Sequence, residues 1–353
     1  MNNAITDWIR PEIQQLSAYH VPEPGEAIKL DAMENPYQWD LIDKWLQTLQ
    51  SAALNRYPDP AAREVKQQLR AVMQIPDTME VILGNGSDEL IQMLALTLNG
   101  KGRILLAPEP SFVMYRLIAQ VVGMQYVGVP LNPNNFSLDR VAMLDAIKTH
   151  QPALVFLAYP NNPTGNLFAL EDIEAIIETT PGVVVIDEAY APFTDKSFMS
   201  REYSNVLVMR TVSKLRLAGL RLGLLAGPQD WLEQIDKTRL PYNINVLSQI
   251  SAVFALQHYG VLEKQTRQIR ADRADLLEQL KAIRGVQVWP SETNFILFRV
   301  ADALAVFNEL KKQGILIKCL HGSHPFLENG LRVTVGTPEE NRAFLQALRE
   351  IIV

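Results

Sequence analysis

At 353 residues, 48% of them hydrophobic, the chain is long enough for about two domains with sizeable apolar cores. A net charge of −6 excludes a general electrostatic attraction to nucleic acid or to an anionic membrane, though not local basic residues in a pocket. The single cysteine, Cys319, excludes an intramolecular disulfide and a cysteine-rich metal site; no apolar signal core lies in residues 1–11 and no run is long enough to span a bilayer, so a cytoplasmic protein is expected.

Residues 1–30 read as an N-terminal arm, rich in proline over 21–25. From about residue 50 to residue 250, strand-like runs alternate with helical patterns, which implies a doubly wound, mostly parallel sheet covered by helices. The first chemistry-bearing turn is Val81-Ile82-Leu83-Gly84-Asn85-Gly86-Ser87-Asp88-Glu89-Leu90. Strand, glycine turn and helix follow one another there, with Leu90, Met93, Leu94 and Leu98 at helical spacing. A glycine turn opening a helix exposes backbone N–H groups able to bind phosphate. It falls short of a dinucleotide fingerprint, because Glu89 stands where the third glycine belongs.

Strand-like runs at 104–107 and 126–129 come next, then 154–157 leading into Ala158-Tyr159-Pro160-Asn161-Asn162-Pro163-Thr164-Gly165. This is a loop at a strand end in which the Asn162 amide can be held as a donor to a ligand oxygen; an ordinary Asn-Pro turn is an equal alternative. The apolar run Val183-Val184-Val185-Ile186 ends in Asp187-Glu188-Ala189-Tyr190, placing a carboxylate at the tip of a buried parallel strand, where open α/β sheets bind ligands. A helix N-cap or a metal-binding aspartate is the plainer alternative. Residues 206–208 form another buried run, followed by Thr211-Val212-Ser213-Lys214-Leu215-Arg216-Leu217-Ala218-Gly219-Leu220-Arg221-Leu222-Gly223. A lysine beside phosphate-binding groups at a strand end suits pyridoxal-phosphate chemistry: its amine can take an aldehyde as a Schiff base, while Ser213 and Arg221 hold a phosphate. A solvated surface lysine is the competing reading.

The rhythm changes after residue 250. A long helical pattern from about 252 to 283, with Leu276, Leu277, Leu280 and Ile283, reads as the connection between lobes. Strand 294–300, helix 303–313, strand 315–317 and strand 331–335 follow, and Thr337, Pro338 and Glu340 form a capping box with proline in the first turn of the last helix. His321 and His324 lack the spacing of a metal site and read as loop histidines, so no metal is expected.

Taken in order, the glycine turn, Asn-Pro-Thr-Gly, Asp-x-x-Tyr and Ser-Lys with a later arginine resemble the fold-type I pyridoxal-phosphate aminotransferases over nearly the whole chain. The segments Leu30-Asp31-Ala32-Met33-Glu34-Asn35-Pro36-Tyr37, Asn55-Arg56-Tyr57-Pro58-Asp59-Pro60 and Leu331-Arg332-Val333-Thr334-Val335-Gly336-Thr337-Pro338-Glu339-Glu340-Asn341 make it most similar to the histidinol-phosphate aminotransferase branch. The resemblance implies an α/β fold: a large cofactor-binding domain over 46–250 with a doubly wound, mostly parallel sheet, and a smaller α+β domain built from 31–45 with 251–353. It implies pyridoxal 5'-phosphate as cofactor, with Lys214 as covalent anchor and proton carrier. Asp187 would face the ring nitrogen, Asn162 and Tyr190 the phenolic oxygen, and Phe112 the ring plane, unless Phe112 is simply core. Ser213, Arg221, Gly86 and Ser87 would hold the phosphate, with Tyr57 reaching in from a partner subunit, hence a homodimer.

By the same resemblance Arg332 is the substrate-anion arginine, with Lys318 as a second positive charge and Tyr19, beside His20, near the substrate phosphate. A surface arginine paired with Glu328 is the alternative for Arg332. Three departures stand out. Met33 occupies a position where many relatives have asparagine, Lys318 one where arginine is common, and the spacing from Lys214 to Arg221 is a residue shorter than in some relatives. The implied reaction is transamination of L-histidinol phosphate with 2-oxoglutarate, giving imidazole acetol phosphate and glutamate in histidine biosynthesis. An aromatic-amino-acid aminotransferase and a threonine-phosphate decarboxylase are rivals of the same fold. A cofactor-binding regulator would need a DNA-binding module, and no basic one precedes residue 30; a nicotinamide oxidoreductase leaves Lys214 unexplained.

Overall fold

The computed structural model describes residues 3–18 and 25–352. Tyr19 and His20 lie outside the described residues.

Thirteen strands are found among them: β1 (Ile28–Lys29), β2 (Glu80–Gly84), β3 (Ile104–Glu109), β4 (Gln125–Pro130), β5 (Leu154–Ala158), β6 (Val183–Asp187), β7 (Val206–Thr211), β8 (Gly223–Gly227), β9 (Gln287–Val288), β10 (Phe295–Arg299), β11 (Ile315–Leu316), β12 (Lys318–Cys319) and β13 (Gly330–Thr334). Seven form one sheet in the order β2-β8-β7-β6-β5-β3-β4. All its pairings are parallel except those of β8, which runs antiparallel to both neighbours.

The continuous apolar runs arise because both faces of this sheet are covered. Val184 and Ile186 of β6 belong to one core with Val155, Leu157, Val208 and Leu224. Val183 and Val185 face the opposite core with Leu154, Phe156, Leu207 and Leu225. Register then fixes what gathers at one edge. Asp187 pairs with Ala158 and Met209, and Thr211 and Gly84 both pair with Gly223. The carboxyl ends of β2, β5, β6 and β7 therefore open on the same rim, which is where ligands bind in such sheets.

A second, antiparallel sheet has the order β12-β13-β10-β9. Its core of Phe295, Phe298, Leu331, Val333 and Phe344 also takes in Tyr190 and Phe193, so Tyr190 sits where the two parts of the molecule meet. Ile28 and Lys29, within the stretch read as an arm, pair in parallel with Ile315 and Leu316.

The single long helix expected over 252–283 is instead two, Val246–Gln257 and Tyr259–Lys281, broken at His258. Asn245 caps the first by accepting from the Ser248 N–H at 2.9 Å. The His258 ring lies 2.8 Å from the Phe254 carbonyl through Nδ1, closing the turn that separates them. The expected capping box is present. Glu340 Oε2 accepts from the Thr337 N–H at 2.8 Å, and the Glu340 N–H donates to Thr337 Oγ1 at 3.2 Å.

Candidate active site

A cavity of about 250 Å³ opens at the shared rim, lined by Ser87, Phe112, Asn162, Asp187, Tyr190, Ser213, Lys214 and Arg221, with Met33 and Glu34 on one wall. Eight residues singled out from sequence are thus brought together, Phe112 from the turn after β3 and the rest at the rim described above. Gly86 stands directly behind, at the start of the helix Gly86–Leu98.

Asp187, the last residue of β6, is buried. Its Oδ2 accepts from the Tyr115 hydroxyl at 2.6 Å and its Oδ1 from the Ala189 N–H at 3.1 Å. Burial pushes its carboxyl up to about 6, against the pull of those two hydrogen bonds. Tyr115 is itself fully buried and stacked on Phe156 at 4.4 Å. Sequence reasoning missed it, although Phe112 and Tyr115 occupy one turn; the two rings meet edge to face at 5.6 Å.

Lys214 sits in the 3₁₀ turn Ser213–Leu215 just past β7. Its Nζ lies 3.5 Å from the Ala32 carbonyl and 5.7 Å from the Tyr190 ring centroid. Burial foremost, then the charge of Arg332, lowers its ammonium to about 8, with Glu34 acting in the opposite sense. A second 3₁₀ turn, Ala218–Leu220, follows at once, and Arg216 and Arg221 end the two turns at left-handed φ of 81° and 47°. Back-to-back tight turns account for the short spacing between Lys214 and Arg221. The Thr211 hydroxyl braces the first turn, 2.9 Å from Ser213 Oγ and 3.1 Å from the Leu222 carbonyl.

Arg221 pairs with Asp88 at 3.2 Å in a half-exposed position. Gly86 has φ +79°, and a Cβ there would come within 2.7 Å of Arg221 Nη2. Only a bare Cα lets the helix N-terminus and this guanidinium share one concave surface. Glu89, at the place of the missing glycine, closes the turn instead: its Oε2 accepts from the Asn85 N–H at 2.5 Å and from Asn243 Nδ2 at 2.8 Å.

On the other wall, Asn162 Nδ2 donates to the Tyr190 hydroxyl at 3.1 Å, and that hydroxyl donates to Met33 Sδ at 2.9 Å. Arg332 of β13 donates through Nη1 to Asn162 Oδ1 at 2.7 Å and through Nη2 to the Asp31 carbonyl at 2.9 Å, with Phe295 under its guanidinium at 5.1 Å. The alternative pairing of Arg332 with Glu328 is overturned: Arg332 is buried, and Glu328 lies 3.3 Å from His321. Lys318 pairs with Arg332 across the β12–β13 ladder, so the two cations share a sheet face, although neither lines the cavity itself. Tyr57 also stands apart, 80% exposed and stacked on Tyr242 at 4.5 Å. Among the described residues no cluster suited to a metal ion is found, and no helix is long and apolar enough to cross a membrane.

A mostly parallel sheet whose rim joins a lysine turn, a buried carboxylate and a glycine-opened helix defines an enzyme of the aminotransferase type. The chain belongs to the aminotransferase class I and II family, which matches it over residues 26–348. It is 55% identical to a histidinol-phosphate aminotransferase of Nitrosococcus oceani, over 98% of this chain and 97% of the relative. It is 49% identical to the histidinol-phosphate aminotransferase of Chromobacterium violaceum over 100% of both. Among solved structures, the histidinol-phosphate aminotransferase of Sinorhizobium meliloti in complex with pyridoxal-5'-phosphate shares the fold, with a TM-score of 0.86 at 23% identity, covering 98% of this chain and 97% of that one.

Proposed function

We propose that this aminotransferase transfers the amino group of L-histidinol phosphate to 2-oxoglutarate, giving imidazole acetol phosphate and glutamate in histidine biosynthesis. Its cofactor is pyridoxal 5'-phosphate. The observation that carries the reading is one cavity lined by a buried carboxylate and a lysine of depressed basicity, with a buried arginine one hydrogen bond behind its wall at Asn162. The name shared by relatives covering nearly the whole chain favours it over the aromatic-amino-acid and threonine-phosphate alternatives.

The donor set fits the cofactor. Asp187 is the acid that would sit against the ring nitrogen and keep it protonated, while Asn162 Nδ2 and the Tyr190 hydroxyl would serve the phenolic oxygen. Ser213, Arg221 and the N–H groups at Gly86 and Ser87 would hold the phosphate in the concavity that a Cβ at Gly86 would fill. Phe112 would pack on the ring plane. When bound, the cofactor supplies an electron sink for the negative charge left at the substrate Cα. Lys214 Nζ, neutral above about pH 8, would take the proton from that Cα and hand it to the cofactor's C4′ carbon, on the far side of the amine nitrogen. Tyr115 and the Ala189 N–H keep the Asp187 carboxylate oriented. Arg332, fixed by Asn162 and Asp31, presents a planar fork that suits a phosphate in one half-reaction and a carboxylate in the other.

The same reading divides the chain into a large domain over 46–250 and a small one from 31–45 with 251–353, in a cytoplasmic homodimer. What supports the dimer is the exposure of Tyr57, Leu54 and Leu240, apolar side chains that a partner would cover. Tyr57 would then serve the neighbouring subunit's phosphate site. Single-turnover kinetics test the anion assignment. Arg332→Ala is expected to slow both half-reactions by about tenfold or more, and Lys318→Ala to weaken histidinol phosphate more than glutamate. Unchanged kinetics with histidinol phosphate in both variants would move the anion site elsewhere.

A further inference from the structure

We propose that Arg216 is a positioning residue that clips the 31–39 segment onto the Lys214 turn and so sets the cavity wall facing the incoming amine. Its kinetic consequence rests on the reading of that cavity as the active site; its structural consequence does not.

Arg216 follows the Ser213–Leu215 turn directly, at φ 81° and ψ 0°. A side chain is disfavoured in that region and persists there only where its surroundings hold it. The holding contacts come from one stretch of chain. Nε donates to the Tyr37 carbonyl at 2.5 Å, and the guanidinium carbon lies 5.7 Å from the Trp39 ring centroid. Both partners are braced from behind. The Tyr37 hydroxyl donates to Asp272 Oδ2 at 2.7 Å, Asn35 Nδ2 to Gln265 Oε1 at 3.2 Å, and Gln265 Nε2 to the Gln38 carbonyl at 3.0 Å. Trp39 packs edge to face on Phe254 at 5.3 Å. Arg216 thus joins a segment anchored on the helix Tyr259–Lys281 to the turn that carries Lys214.

The other end of the segment meets the cavity. The Ala32 carbonyl is 3.5 Å from Lys214 Nζ, and Met33 and Glu34 line the wall beside it. Met33 is also held at positive φ, 56°, its N–H donating to Thr334 Oγ1 at 3.0 Å and its carbonyl accepting from Asn294 Nδ2 at 2.9 Å. The segment is therefore fixed to β13 and to Asn294, just before β10, at Met33 and to the Lys214 turn at Tyr37. Loosening the second attachment lets the wall move relative to the amine while Lys214 keeps its own turn.

Arg216→Gly separates this role from folding, because glycine takes the left-handed conformation freely while removing the clip. Arg216→Lys keeps a cation and a donor without the planar fork. In cofactor-free protein, hydrogen exchange at the Met33 and Tyr37 amides should quicken about tenfold or more in Arg216→Gly, with Val185 in the central strand unchanged. In the loaded enzyme, KM for the amine should rise about tenfold while kcat changes much less, with Arg216→Lys recovering part of the loss. Unaltered exchange at Met33 and Tyr37 overturns the clip. Altered exchange with KM and kcat both unmoved overturns its positioning role. A wild-type enzyme inert toward histidinol phosphate would instead sink the functional reading, and the exchange measurement would still decide the clip.

Discussion

Asp187 shows how a single residue carries both a cost and a function. Its carboxyl, held at about 6 against an ordinary 3.8, binds a proton more readily in the folded chain than in the unfolded one between those values. Stability of the cofactor-free protein from this group is therefore full below about pH 4 and falls as pH rises to 6, by about 3 kcal/mol in all. Lys214, lowered to about 8 from 10.5, has the opposite slope, contributing more as pH rises from 8 to 10.5. Asp187→Asn should remove the acid-side slope, seen by denaturant unfolding at pH 4.5 and 7, and cut turnover by orders of magnitude, because an amide cannot keep the pyridine nitrogen protonated. A variant with the wild-type slope and near-normal turnover would make Asp187 purely structural. Asp187 and Lys214 were legible in the sequence because each ends or follows an apolar strand run. Tyr115 was not, since its partner is 72 positions away and nothing local marks a buried tyrosine as a hydrogen-bond donor rather than core.

At the scale of elements, legibility followed the reach of the interaction. The capping box at Thr337 and Glu340 and the glycine turn at Gly86 are local devices, readable within four residues. The break at His258 was hidden by apolar periodicity that continues through both helices, although Asn245 and Gly260 flank the first helix and the break. The tightness of the Lys214 turn depends on two left-handed arginines, a conformation that residue type alone argues against. Gly86→Ala tests the helix-opening element. A Cβ at φ +79°, 2.7 Å from Arg221, should cost about 1–2 kcal/mol and displace the guanidinium. Unfolding and cofactor titration should both register it; an unchanged cofactor affinity would remove this surface from the phosphate site.

For the whole molecule, the sheet class was readable because continuous apolar runs separated by helical patterns admit few arrangements. The strand order, the reversed β8 and the pairing of β1 with β11 depend on contacts across the entire chain and left no local mark. The site is composite in the same way, with Met33, Asn162, Lys214 and Arg332 meeting from separate elements. If Tyr57 completes a partner's site, mixing an inactive Lys214→Ala chain with an inactive Tyr57 variant should restore part of the activity, because one site of each mixed dimer keeps both residues. A fully active monomer would dispose of that assembly. The central claim, amine exchange at the Lys214 cavity with histidinol phosphate, is tested most directly by a half-reaction followed through the cofactor's absorbance. Wild-type enzyme mixed with L-histidinol phosphate should convert its cofactor from the aldehyde to the amine form and revert on adding 2-oxoglutarate, and Lys214→Ala should do neither. Release of carbon dioxide from threonine phosphate with no conversion by histidinol phosphate, or conversion that survives Lys214→Ala, would contradict it.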